Sequence, residues 1–223
     1  MIVLSAALAS CGDFFTFEEE PDEWTGVTMT AMCDGACVMV GDTMPLAVNF
    51  EPSNPNDSPV FWMLNDTTGC ARIVNDSLVA VSVGDPEVIA IGGSGRVSDT
   101  CKVSVIDRWD IKDFERMHPS DMVIYADVTL DGKQWDDKTQ ILGAFVRGTL
   151  AGVGVKREAY GITYTVLRIW ALADQDVGTV TLRLYDRAAF RLHLAAESPE
   201  FDAYKTLGTL SALYPITFTS KSK

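Results

Sequence analysis

Apolar residues recur at every second position through most of this chain, and that alternation restricts its possible folds more than any other feature. From Met44 the run MPLAVNF places Met44, Leu46, Val48 and Phe50 on one side of an extended backbone. The stretch EPSNPNDSP then interrupts the pattern with three prolines. It resumes in VFWML, ARIV, LVAVSV, EVIAI and CKVSVID, with NDTTG, NDS, GDP and GGSGRVSDT between them. Short alternating runs divided by Asn, Asp, Gly and Pro clusters predict an all-β sandwich, because a parallel sheet would need crossover helices and helical periodicity is scarce here.

The second half repeats this organisation after a polar joint, RWDIKDFERMHPSD, which is expected to hold one short helix before Pro119. MVIYADVTLDG puts Ile124, Ala126, Val128 and Leu130 on one face, and QILGAFVRGTLAGVGV, GITYTVLRIWALA, GTVTLRLYD, AAFRLHLAA and YPITFTS supply further strands. In GTVTLRLYD, Leu182 and Leu184 point one way while Thr181, Arg183 and Tyr185 point the other, which predicts a wet outer face. With 223 residues the chain has room for two domains, and the expected division is two tandem β-sandwiches over 27–107 and 108–223.

Charge and hydropathy exclude some classes of partner. There are 31 acidic residues against 18 Lys and Arg, a formal charge of −13, so the field repels phosphate backbones and argues against nucleic acid. No stretch approaches the roughly 20 apolar residues of a spanning helix. Membrane association therefore calls for an anchor. Leu8-Ala9-Ser10-Cys11, at the end of MIVLSAALASC, resembles the lipobox of bacterial lipoproteins, in which the cysteine is acylated and becomes the mature N-terminus. The apolar run is short and has no Lys or Arg ahead of it, a departure from that pattern. The resemblance implies a signal remnant over 1–11, lipidation at Cys11 and an acidic tether over 12–26. It further implies an outer-membrane or cell-surface location, with the periplasmic face as the alternative.

Cys33, Cys37, Cys70 and Cys101 form an even set once Cys11 is set aside, and an exported compartment permits disulfides. Of the three connectivities, Cys33 with Cys37 and Cys70 with Cys101 is preferred. Zinc is disfavoured, because paired C-x2-C knuckles are missing and no histidine lies between these cysteines. The order VGDTMPLAV, a Pro-rich turn, Trp62, LVAVSVGDPEVIAI and CKVSVID resembles the bacterial immunoglobulin-like domain, group 2. That resemblance covers about 27–107 and implies an immunoglobulin-like first sandwich with Trp62 filling its core. The second half looks like a β-sandwich module found beside such domains in Gram-negative surface proteins.

Little in the sequence suggests reaction chemistry. His118 precedes a proline, and His193 alternates with Leu192 and Leu194, so it is expected to face outward; G-x-S-x-G and H-E-x-x-H are both missing. GGSG at 92–95 is followed by neither Lys-Ser nor a helix, and is read as a turn. Asp174 to Asp176 and the pair Asp136 and Asp137 offer clustered oxygens for calcium but lack EF-hand spacing, so no metal and no cofactor is assigned. Asp42-Thr43-Met44, Asp66-Thr67-Thr68 and Asp76-Ser77-Leu78 resemble the acceptor of bacterial surface O-glycosylation. Among the aromatics, Trp135, Tyr160 and Trp170 are the candidate ligand contacts, with Tyr125 and Tyr164 nearby. Trp135 ranks first, because DGKQWDDK reads as a polar loop with no core for the ring to fill. The sequence thus predicts a non-enzymatic adhesion or binding protein, anchored through Cys11, whose partner is a host or cell-surface protein or glycan. The alternative is a glycan-binding accessory lipoprotein of a polysaccharide uptake system.

Overall fold

A computed structural model describes residues 27–51, 59–93, 95, 97–111, 120–171 and 178–220. Cys11, the tether, His118 and Asp174 to Asp176 lie outside the described residues, as does most of the stretch expected to be helical. Every regular element described is a strand: β1 (Thr28–Ala31), β2 (Ala36–Met39), β3 (Thr43–Pro45), β4 (Val48–Glu51), β5 (Val60–Asn65), β6 (Ala71–Val74), β7 (Ser77–Ala80), β8 (Glu87–Gly92) and β9 (Ser98–Ile106), followed by β10 (Ser120–Leu130), β11 (Lys133–Gln134), β12 (Gln140–Val146), β13 (Thr149–Ala159), β14 (Ile162–Ala171), β15 (Val180–Asp186), β16 (Arg191–Leu194), β17 (Thr206–Leu207) and β18 (Tyr214–Phe218).

In the first sandwich the sheet β2-β9-β8-β5 faces β3-β7-β6 and the ribbon β1-β4. The alternation dictates this. Met44, Leu46 and Leu78 from one layer meet Val88, Ala90, Val103 and Val105 from the other, and Trp62 packs against them from β5. The early strand β2 lies parallel to the last, β9, with Ala36 opposite Val103. The early strand β2 beside the last strand β9, with β3-β7-β6 across the core, makes an immunoglobulin-like sandwich.

That parallel pairing also decides the disulfide. It carries the turn before β2 past the middle of β9, where Cys33 bonds Cys101 across a sequence separation of 68. The expected pairs are therefore corrected: Cys37 and Cys70 are free, buried thiols. Cys37 sits on β2, a strand covered on both sides, and burial pushes its thiol up to about 11 despite the nearby Arg183. Cys70 closes against Gly84, where a Cβ would stand 2.6 Å from its Sγ. Asp66 organises the loop before it. Burial disfavours the Asp66 carboxylate, but donors on Ala71, Thr68 and Cys70 outweigh that and hold it well below the usual carboxylate range.

The second sandwich is one nine-stranded sheet, β11-β10-β14-β13-β12-β15-β16 with β17 and β18 on the far side of β10. It folds over so that its ends meet at a bridge between Ala195 and Phe218. One long strand turns the corner: β13 pairs with β12 up to Val153 and with β14 from Gly154. Gly152 permits the bend, since a Cβ there would collide with the Arg168 carbonyl. Met122, Ile124, Ala126 and Val128 fill the interior with Leu142, Leu167, Ile169, Leu182 and Leu184, as their alternation predicts.

The outer face of β15 departs from the expectation of a wet surface. Tyr185 is fully buried, because the first sandwich rests on it. Its hydroxyl accepts the Met39 amide at 3.2 Å and donates to Asp42 Oδ2 at 3.1 Å. Arg187 Nε donates to the same carboxylate oxygen at 3.0 Å, and the Cys37 amide donates to the Phe190 carbonyl at 2.8 Å. The edge of β2 is thus closed by the second sandwich. Trp109 meets Phe145 edge to face at 5.2 Å and stands over Gly143, where a Cβ would be 2.8 Å from its ring.

Because Cys33–Cys101 closes a loop spanning most of the first sandwich, replacing both by alanine should cost about 3 to 4 kcal/mol of stability. Urea unfolding of the double variant against the oxidised parent measures this; superimposable curves would show that the bond constrains nothing.

Candidate functional site

The register of β10, β14 and β13 determines which rings meet. Residues directly opposite in a ladder share a face, so Asp121 lies beside Trp170, Val123 beside Arg168 and Tyr125 beside Val166 on the outside of the second sandwich. On the other flank of β14, Val155 lies beside Val166 and Arg157 beside Tyr164. The even-numbered residues of β14 from 162 to 170 all face out, while Thr165, Leu167 and Ile169 face the core. Four strand positions separated in sequence thereby present Tyr125, Tyr164, Trp170 and Arg168 together.

Contacts within the face order these side chains. The Tyr125 and Tyr164 rings lie 6.0 Å apart at 47°. Arg168 sits 5.4 Å from the Trp170 ring centre, and its Nε is 3.1 Å from Asp121 Oδ2. Two guanidinium groups, Arg157 and Arg168, balance Asp121 and Asp127, so the face is close to neutral within a chain of charge −13. The rings are partly exposed, and Val155 and Ile162 beside them are exposed.

Of the three candidate rings, the structure places only Trp170 on this face. Tyr160 is 94% exposed at the tip of the β13–β14 hairpin, past the Glu158–Thr163 and Ala159–Ile162 pairs that follow Arg157 and Tyr164, where it shares a turn of positive φ with Gly161. Trp135 is corrected: it is 2% exposed and belongs to the core. Asp131 and Gly132 make a two-residue turn of positive φ, which reverses the chain so that β11 pairs back onto the end of β10. The Trp135 amide then donates to the Val128 carbonyl at 3.1 Å, and its indole Nε1 donates to the buried Thr165 hydroxyl at 2.8 Å. Lys156 Nζ caps the Trp135 carbonyl at 2.7 Å. The polar loop carries one apolar ring back into the sandwich, and the Asp-Gly pair was the signal for it. Tyr125 and Tyr164 were visible in sequence, but their pairing needed the register.

Other candidate positions are occupied by structural work. His193 does not face outward: it is partly buried and its Nε2 is enclosed without a hydrogen-bond partner among the described residues, while Leu192 and Leu194 point out. Asp136 caps its own turn, accepting from the Lys138 amide at 3.2 Å and the Thr139 hydroxyl at 3.1 Å. Among the described residues no group of three or more His, Cys, Asp or Glu could hold a metal ion. Asp42 and Asp66, members of two of the acceptor-like triplets, are committed to the junction and to the loop before Cys70. The turn at Gly92 joins β8 to β9, with the Gly92 amide donating to the Val97 carbonyl. A cavity of about 530 Å³ lies where the two sandwiches meet, lined by Val83, Ile106, Trp109, Phe145, Arg183 and Leu192.

No family model and no curated protein matches this chain. Among solved structures it is similar to surface layer protein SbsC, domains 1–6, at 16% identity and a TM-score of 0.31, covering 78% of this chain and 25% of that one. It is also similar to the protocadherin gamma B7 extracellular cadherin domains 1–4, at 12% identity and a TM-score of 0.29, covering 79% and 49%. A third is the N-terminal Ig1-2 module of the Drosophila receptor protein tyrosine phosphatase DLAR, at 10% identity and a TM-score of 0.24, covering 86% and 99%. At these values the likenesses assign neither a family nor an activity.

Trp135→Ala should act through the core rather than through a surface. The expected loss is about 3 to 5 kcal/mol, read as a fall in the unfolding midpoint. A midpoint within error of the parent would return the ring to the list of surface contacts.

Proposed function

We propose that this chain is a non-enzymatic binding protein of the cell surface. Cys11 and the acidic tether would hold it to an outer membrane, the immunoglobulin-like sandwich of 27–107 would act as a spacer, and the sandwich of 108–223 would present the contact surface. The gathering of Tyr125, Tyr164, Trp170 and Arg168 on one solvent face carries this reading. Tyr, Trp and Arg are the residues that dominate binding energy in protein interfaces, and here none of them serves the core of its own sandwich. Such a composition favours a cell-surface protein as partner. The glycan alternative has lost Trp135, its intended stacking platform, to the interior.

Beads carrying the full chain, incubated with intact bacterial and epithelial cells, test the reading. Adhesion should disappear when the cells are treated with protease, and should fall about 10- to 100-fold for Tyr125→Ala combined with Trp170→Ala. Adhesion that survives protease but is lost on periodate treatment would transfer the face to glycans. A double variant that adheres as well as the parent would sink it.

The anchor has its own test. Chains expressed in a Gram-negative host should incorporate a fatty-acid analogue, and Cys11→Ser should incorporate none. Equal label in both would remove lipidation from the proposal.

A further inference from the structure

Among the described residues, the two edges of the sheet β2-β9-β8-β5 are in opposite states. At β2 the outward amides of Cys37 and Met39 donate to the Phe190 carbonyl and the Tyr185 hydroxyl, so the second sandwich covers that edge. At β5, no described residue hydrogen-bonds beyond the pairing with β8. Open edges are usually blunted by a charge, a proline or a bulge. Val60 to Leu64 has none of these.

The side chains at the open edge add to the contrast. Phe61 is 57% and Met63 55% exposed on the solvent face, and their register partners Ile91 and Ile89 lie beside them, partly exposed. This apolar quartet contains no charge. The next row carries the polar groups, where Asn65 donates to Glu87 at 2.9 Å and Lys102 pairs with Glu87 at 3.7 Å.

The geometry points to antiparallel pairing of β5 with β5 between two copies of this chain. A strand edge is complementary to itself under a two-fold axis, so a second copy of this chain presents a matching edge. Side-chain parity restricts the register, since opposite residues must share a face of the joined sheet. An axis at Met63 would set Phe61 against the amide of Asn65. An axis at Phe61 would set Met63 against Pro59, which lacks a donor. With the axis at Trp62, Phe61 faces Met63 of the partner subunit, a favourable sulfur–aromatic pair, while Val60 and Leu64 meet on the inner side. The sheet becomes continuous across both copies, and because its other edge is already covered, the assembly closes at two.

Five paired residues bury far less than the roughly 800 Å² per partner of a standard interface, so the dimer is reversible and depends on concentration. Each copy has a charge of −13, and mutual repulsion opposes association. Salt should therefore strengthen it, the reverse of an interface held by ion pairs.

Sedimentation velocity of the full chain from about 1 μM to about 1 mM, at low and high salt, tests this. The 24.3 kDa species should shift toward twice its mass, further at high salt. Met63→Lys, an exposed substitution, should remain monomeric throughout with an unchanged unfolding midpoint; Phe61→Thr provides the same comparison should that variant fail to fold. Mixed Phe61→Cys and Met63→Cys chains should cross-link at least about 10-fold faster than either alone, because opposed cysteines meet only in the mixture. A monomer across the whole range would overturn the proposal. So would a dimer indifferent to both exposed substitutions, or cross-linking that is equal in mixed and unmixed chains. None of these readouts involves the ring face of the second sandwich.

Discussion

The fold turns on one buried hydroxyl. Tyr185 stands on the outside of the second sandwich yet is sealed from water by the first, and its oxygen accepts a hydrogen bond from the Met39 amide and donates one to Asp42. A buried amide without a partner costs about 1 to 3 kcal/mol, so the edge of β2 is stable in place only where something supplies acceptors. Tyr185 and the Phe190 carbonyl supply two. This explains why β2 reads as four consecutive buried residues instead of an alternating strand: its second face looks onto another sandwich. It also explains why Cys37, on that strand, stays a protonated and protected thiol.

The alternation in sequence was readable wherever one side of a strand meets water and the other meets core. Met44 to Phe50, Met122 to Val128 and the leucines of β15 all obey it. It failed wherever a second cover exists. The pattern places Tyr185 on a wet face because nothing local announces that another sandwich will rest there. β16 inverts for a related reason: Leu192 lines the cavity beside Ile106 and Phe145, so its apolar side chain is served outside the second sandwich while His193 turns in. Nothing in the structure explains the exposure of Leu194. The cysteine pairing was out of reach on similar grounds. Cys33 and Cys101 meet because the beginning and end of a sandwich lie side by side, and local periodicity carries no information about which strands become neighbours.

Trp135 and the ring face err in opposite directions. A polar loop suggested an exposed ring, but a two-residue Asp-Gly turn has a fixed handedness that folds the following residues back onto the strand they left. Tyr125, Tyr164 and Trp170 alternate like any half-buried positions, and only the ladder between β10 and β14 shows that they form one surface. Their place in the fold depends on Gly152 as well, since the bend in β13 brings Arg157 and Val155 alongside.

In the proposed binding role, affinity comes only from what survives the cost of ordering the contacts. Rings held by ladder neighbours lose little freedom when a partner arrives, and the Arg168 guanidinium is already oriented by Asp121 and Trp170. The same economy applies between the sandwiches, where Tyr185, Arg187 and Trp109 fix the junction through hydrogen bonds and ring contacts rather than through a loose joint. The edge closed at β2 and the edge at β5 that no described residue pairs are therefore parts of a single arrangement. Because the second sandwich occupies one side of the sheet β2-β9-β8-β5, any further growth of that sheet must proceed from the side that carries Phe61 and Met63.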